Sequence, residues 1–288
     1  MKKRNIFFII ALVAFVEIFS ACKTLMPLVG VHPLDLLSND SHFYVKLPKA
    51  SDSELLIHLL QNALPILDEA GAKFIASRIN TLYAGISRNR RGSVLEASVF
   101  GTIPKNTVQS LMQKKTDWKQ QNIKLAPDRS YDMYASPSAG IQLAIASHTI
   151  ACIAENVEPM IKEFDEHAFL GKTTHALDEV IYNWMSDTGN DIRFYAPNPM
   201  SFLTVLTGTN LNLQLNYVKG SIVKADASEY NVSLDFDFNN TKVVRAGIAL
   251  LSLAFGLTNS QVVQTSASGI SISNIKIGKE TLMKIFSL

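Results

Sequence analysis

Cysteine is nearly missing from this chain: Cys22 and Cys152 are the two in 288 residues. Signatures of catalysis are missing too. The sequence holds no His-Glu-x-x-His pair and no Cys/His cluster at zinc spacing. It has no Gly-x-Ser-x-Gly elbow, Walker A loop or Gly-x-Gly-x-x-Gly turn, and its 14 glycines are scattered singly. The six histidines are His32, His42, His58, His148, His167 and His175. The nearest approach to a ligand pair is Glu163 with His167, which share a helix face at i, i+4 and read as a solvated helix end. The carboxylate pairs Asp68-Glu69, Asp178-Glu179 and Asp235/Asp237 fall on helix ends or one strand face. General acid–base work needs two carboxyls in unlike environments. These absences predict a protein that is not an enzyme, with no metal and no cofactor.

An excess of charge is also lacking. Lys and Arg number 27 against 25 Asp and Glu, a formal net charge of +2. Lys2, Lys3, Arg4 and Glu17 lie in the first 21 residues, and without them the remainder is neutral. No basic excess points to nucleic acid. Apolar runs long enough to span a bilayer, about 20 residues, are absent as well.

What is present begins at the first residue. A basic stretch, Lys2-Lys3-Arg4, precedes an apolar one, Asn5–Val16, and Phe19-Ser20-Ala21-Cys22 closes it. That order is an export signal. A plain signal needs no cysteine at its end, whereas a lipobox places there the thiol that is acylated before cleavage. Residues 1–21 therefore read as a lipoprotein signal peptide and Cys22 as the lipidated first residue of the mature chain. Phe19 stands where leucine is usual; the alternative is a signal cut elsewhere or an uncleaved anchor. Each buried methylene adds about 0.8 kcal/mol, so two or three acyl chains hold firmly where one is marginal. The first partner expected is membrane lipid, through Cys22. Cys152 is then left without a disulfide partner and reads as a small buried hydrophobe.

Residues 22–40 join the anchor to the body and are too apolar for a free tether, so they are expected to pack on the domain or lie near the bilayer. The remainder reads as α+β, with mostly antiparallel sheets covered by amphipathic helices. Two similar strand-helix-hairpin-helix units are expected, at 41–170 and 191–288. In the first, His42–Leu47 is a strand, and Ser51 or Ser53 caps a helix from Glu54 to about Ala70 that Pro65 should kink or end. Strands Ile79–Ser87 and Val94–Ile103 follow, then a helix from Lys105 to about Lys119. The short strands Tyr131–Ala135, Ile141–Ser147 and Thr149–Ala154 lead to a helix from Val157 to Phe169. In the second, Ile192–Ala196 precedes a helix Met200–Thr207 and a hairpin of Asn212–Val223 with Tyr230–Phe238. A helix from Asn240-Thr241 to about Leu257, the strand Gly269–Ile277 and the helix Glu280–Phe286 complete it. The alternative is one continuous α+β domain. Between the units, 171–190 holds an amphipathic helix, Thr174–Met185.

The informative features are apolar. Val243–Leu257 carries one charge, Arg245, and is apolar nearly all round. Such a helix is buried or faces a second apolar surface. The candidate membrane- or lipid-contacting residues are Val243, Val244, Ile248, Leu250, Leu251, Leu253 and Phe255, with Leu177, Ile181 and Trp184 on the connecting helix. The basic loop Arg88–Arg91 reads as a solvated turn, which beside anionic lipid would add surface attraction of about 1 kcal/mol per charge.

Taken together, the lipobox Phe-Ser-Ala-Cys22, the strand HFYVKLP from His42, and RINTLYAGI from Arg78 resemble the treponemal outer-membrane-associated lipoproteins with amphipathic helices. The strand ASVFGTIP from Ala97, the helix ending in Trp118, and VVRAGIALLSLAFGL from Val243 carry the same likeness. The resemblance implies an α+β periplasm-facing lipoprotein able to insert amphipathic helices into a bilayer and to bind or move lipid; Lys23 after the acylated cysteine, where an Asp would signal retention, favours the outer membrane over the inner. It brings no catalytic residues. The rival expectation is a structural envelope lipoprotein that binds a protein partner and no lipid ligand.

Overall fold

The computed structural model describes residues 30–63, 68–89, 92–113, 117–200, 203–204, 213–255 and 260–286. The signal, Cys22, Pro65, Arg90 and Arg91 lie outside the described residues, as does most of the helix expected at Met200–Thr207.

Among the described residues, period-two alternation builds a sheet of twelve strands. They are β1 (Phe43–Pro48), β2 (Ile79–Asn89), β3 (Gly92–Gly101), β4 (Lys119–Ala126), β5 (Arg129–Ser136) and β6 (Ile141–Ile145). The others are β7 (Ile150–Ala154), β8 (Ile192–Ala196), β9 (Leu215–Lys224), β10 (Glu229–Phe238), β11 (Gln261–Gln264) and β12 (Gly269–Gly278). Their order is β11-β12-β10-β9-β8-β1-β2-β3-β7-β6-β5-β4. Every neighbouring pair is antiparallel. Strands β1–β7 thus fill one side of a central seam and β8–β12 the other. At the seam Tyr44 faces Tyr195, Val45 faces Phe194 and Lys46 faces Arg193. The rings of Phe43 and Phe194 stack there at 5.6 Å.

Seven α-helices accompany the sheet among the described residues: α1 (Ser53–Ala63), α2 (Glu69–Arg78), α3 (Lys105–Gln113), α4 (Glu158–Phe169), α5 (Glu179–Ser186), α6 (Val244–Phe255) and α7 (Lys279–Phe286). Val45, Leu47, Leu82, Ala84, Ile153, Phe194 and Leu234 share one core with residues of α1, α2, α3, α6 and α7. Their alternates Tyr44, Tyr83 and Cys152 belong to a second core with Met160, Ile161 and Phe164 of α4 and Ile181 and Met185 of α5. The pleat therefore separates two faces, each with its own cluster. Strand β10 shows the rule plainly: Tyr230, Val232, Leu234, Phe236 and Phe238 are buried, and Asn231, Ser233 and Asp235 are exposed.

The described part of the linker packs on the second face. His32 caps a 3-10 turn, Pro33–Leu36: its ring nitrogen accepts the Leu34 N–H at 3.2 Å, and Asp35 accepts the His32 N–H at 3.3 Å. The Ser98 hydroxyl donates to the Pro33 carbonyl at 2.6 Å, and the Ser38 N–H donates to Glu96 at 2.8 Å. This N-terminal strap buries Leu34, Leu36 and Leu37.

Several boundaries differ from expectation. Asp52, rather than Ser51 or Ser53, caps α1 by accepting the N–H groups of Glu54 and Leu55 at 3.0 Å. The single helix expected to about Ala70 is two, since Asp68 caps a second by accepting the Gly71 N–H at 2.8 Å. The helix expected to about Lys119 is described over Lys105–Gln113, and Lys119 opens β4. The connecting helix starts at Glu179, where Asp178 accepts the Val180 N–H.

Candidate functional site

Helix α6 lies on the first face by one narrow stripe. Val244, Gly247, Leu251 and Phe255 are its buried residues. Gly247 permits the close approach, because a Cβ there would sit 2.4 Å from the Phe238 ring. The opposite side is apolar as well: Leu250 is 42% and Leu253 77% exposed, with Ala246 and Ala249 exposed beside them. Arg245 is the one charge along the helix. A twelve-residue helix whose buried and exposed sides are both apolar has no solvent-preferring face beyond its first turn.

The ten residues picked out in the sequence therefore separate. Val244, Leu251 and Phe255 are core, and Val243 and Ile248 are half-buried against it. Leu250 and Leu253 face outward. On α5, Leu177 just ahead of the helix and Ile181 are buried in the second core, and Trp184 packs against it half-buried. Trp184 carries Arg193 at 5.5 Å and Lys219 at 5.1 Å from its ring centroid. The structure thus brings together no ten-residue surface; α5 and α6 sit on opposite faces of the sheet.

A second apolar feature was not singled out from sequence. Between the sheet and α1, α2 and α3 runs a narrow cleft of about 70 Å³. Leu60, Phe74, Ile75, Val108 and Met112 wall it, and Val99, Leu143 and Ile153 form its floor. The lining is apolar apart from Arg78 and Thr102. Phe74 is 37% exposed, with the Arg78 guanidinium 5.0 Å above its ring. The signal in the sequence was the shared face of Val108 and Met112, but nothing there said that α2 would exist to oppose it.

The polar candidates are held in local pairs. Lys172 Nζ lies 2.5 Å from Glu163 and 3.1 Å from Glu166, while His167 sits 3.9 Å from Glu163. An ammonium thus takes the place between those carboxylates that a bound cation would take. Asp237 accepts from Asn216 at 2.7 Å and from Ser268 at 2.9 Å on the wet side of the sheet. Among the described residues no group of three or more His, Cys, Asp or Glu is placed to hold a metal ion. No described helix is long and apolar enough to cross a membrane. Cys152 is fully buried in β7, and burial pushes its thiol well above the usual range.

This geometry has counterparts among known proteins. A search of curated protein sequences finds no match. Among solved structures, crystal form I of TP0453 aligns with a TM-score of 0.71 at 18% identity, covering 90% of this chain and 98% of that one. Forms III and IV align at 0.67 and 0.65, with 18% and 17% identity and the same coverage. At such identities the likeness speaks for the fold alone. A family model is more specific, matching residues 29–283, nearly all the described body. The chain belongs to the family of the outer membrane-associated lipoprotein TP0453.

Proposed function

We propose that this member is a non-enzymatic lipoprotein, held at the outer membrane through lipid on Cys22, whose apolar helix surfaces engage acyl chains. The observation that carries the reading is α6, apolar on its buried stripe and again on its outward side at Leu250 and Leu253. In water that outward side costs free energy, and against hydrocarbon it does not. The narrow cleft under α2 and α3 adds an apolar slot that would admit the end of an acyl chain. The basic residue Arg78 at its edge suits a phosphate headgroup left at the mouth.

Protein made without the signal and anchor cysteine is expected to float with both anionic and neutral liposomes. Absence from the floating fraction in both cases would overturn bilayer engagement. Mass spectrometry of the folded protein is expected to find copurifying lipid, reduced in Val108→Trp, which fills the cleft. Equal lipid in both proteins would assign any bound lipid elsewhere.

The two-unit organisation belongs to the same proposal: 41–170 and 191–288 are related copies. The support is topological. From the seam outward the strands run β1-β2-β3-β7 on one side and β8-β9-β10-β12 on the other, first, second, third and last in each. An overlay of the two sets that failed to align their hairpin registers would remove it. One observation favours the protein-binding rival. The second face of β9, β10 and β11 leaves Val223 52% and Val263 55% exposed among polar neighbours. Capture of an envelope protein without lipid, lost on Val223→Glu, would favour it.

A further inference from the structure

The second face holds a wider cleft, of about 640 Å³, between the strap, the ends of β1 and β2, and the loop after α5. Most of its surface is apolar, supplied by Val31, Pro33, Pro48, Ala50, Tyr83 and Phe100. Phe100, on β3 opposite Thr81, stays 39% exposed there. The polar end of the cleft is balanced. Lys46 of β1 faces Arg193 of β8 across the seam, and Asp187 and Asp191 offset the two cations. Lys46 Nζ also donates to the carbonyls of Asp187 and, at 3.0 Å, Gly189. Lys49 at the rim turns its ammonium to the Ser77 carbonyl, at 3.0 Å. The cleft therefore suits an uncharged, apolar occupant.

The chain brings such an occupant to the cleft wall. Gly30, Val31, His32 and Pro33 all line it, so the residues ahead of Gly30 start from within the cleft. Directly ahead stands Leu25-Met26-Pro27-Leu28-Val29, apolar throughout and without charge. Exposed to water, such a run costs free energy. A segment joined to the wall also competes at an effective concentration on the order of millimolar, an advantage that no free acyl chain or peptide has.

We propose that this cleft is the berth of the chain's own residues 25–29, which turn in from Gly30 and cover Phe100. Asn80, Thr81, Thr188 and Asn190 supply side-chain donors and acceptors for the backbone groups of the docked segment. Residues 22–24 then remain between the cleft and the anchor, about 10 Å of chain at about 3.3 Å per residue. The body is held close to its anchor instead of swinging on a leash. That consequence rests on the lipidation proposed above; the berth itself does not. The berth lies on the face opposite α6 and the narrow apolar cleft, so it stands whether or not those engage lipid.

The test is photo-crosslinking of the full chain in a neutral maltoside detergent, with Phe100→benzoylphenylalanine as the reactive group. Fragment-ion mapping is expected to place the cross-link within residues 25–29 of the same chain. The double substitution Met26→Asp with Leu28→Asp should lower its yield about tenfold, since carboxylates do not leave water for an apolar berth. If the Phe100 variant fails to fold, the same group at Ala50, on the exposed rim, reads the same contact. Cross-links confined to residues 30–33 or to the sheet would overturn the proposal, as would a yield that the two aspartates leave unchanged. A product carrying detergent or lipid in place of residues 25–29 would overturn it by giving the cleft to a free amphiphile. A cross-link between isotopically light and heavy chains in a mixture would overturn it by giving the cleft to a second copy.

Discussion

The hydroxyl of Tyr230 donates to the Asp52 carboxylate at 2.5 Å, joining residues 178 positions apart in sequence. Asp52 caps α1 on one side of the seam, and Tyr230 belongs to β10 on the other. The same carboxylate oxygen lies 2.9 Å from Lys224 Nζ, and the Asp52 side chain is fully buried. Burial pushes against its charge, but Tyr230, Lys224 and the Leu55 N–H outweigh burial and hold the carboxyl below its usual range. Tyr230→Phe is expected to cost about 1.5–3 kcal/mol in urea unfolding, as for a hydrogen bond to a charged group. A carboxyl depressed on folding contributes stability that is present above its unfolded pKa, about 3.9, and lost as pH falls through the lower folded value. The substitution should therefore move the acid unfolding limb to higher pH. An unchanged limb would show that Asp52 does not depend on Tyr230.

Two leucines two positions apart on α6 should respond in opposite ways. Leu251 is 0% exposed, and Leu251→Ala is expected to cost about 2–5 kcal/mol. Leu253 is 77% exposed, and Leu253→Ser is expected to change stability by no more than about 0.5 kcal/mol. Liposome flotation should fall for Leu253→Ser. Flotation equal to the parent protein would separate the outward side of α6 from membrane binding.

Cys152 is expected to be inert. Its thiol is fully buried, with burial as the first cause of its raised pKa and Glu96 as the second. A disulfide reagent should leave it unmodified in the native protein and label it on unfolding in guanidinium. Rapid native labelling would mean that β7 opens locally far below the global barrier.

The strap has its own pH response. Burial is the main cause that lowers the His32 pKa from 6.5, Asp35 opposes it, and Lys46 and His175 reinforce it. His32 must be neutral at Nδ1 to accept the Leu34 N–H. The cap is thus intact above pH 6.5 and lost as pH falls through the depressed folded value. Amide exchange at Leu34 should quicken about tenfold across that fall, in line with an N-cap worth about 0.5–2 kcal/mol. His32→Asn keeps an acceptor and should remove the pH step.

Strands with strong alternation were legible before any coordinates, and β10 and β8 fell where the pattern put them. The misses share a cause. Edge strands β4, KQQNIKLA, and β11, QVVQ, are polar and pair on one side only, so no apolar period marks them. Helix α2 carries little apolar bias, and its start is set by Asp68. Of the membrane candidates, those that α6 turns inward were indistinguishable from those it turns outward. Period alone cannot orient a helix that is apolar all round. Lys46 read as one more residue of a strand, since only the register against Arg193 reveals two cations face to face.

The seam itself sets how the molecule comes apart. Only three facing residue pairs join β1 to β8, whereas the hairpin β2–β3 alone aligns ten. Each side keeps all its other strand pairs when the chain is cut in the exposed stretch near Gly171 to Thr174. Two fragments made separately would each retain a nearly complete ladder. They would find one another through a short strand edge, the Phe43–Phe194 stack and the hydrogen bond from Tyr230 to Asp52. Reassembly from halves would then be a bimolecular reaction, its extent set by protein concentration rather than by the chain.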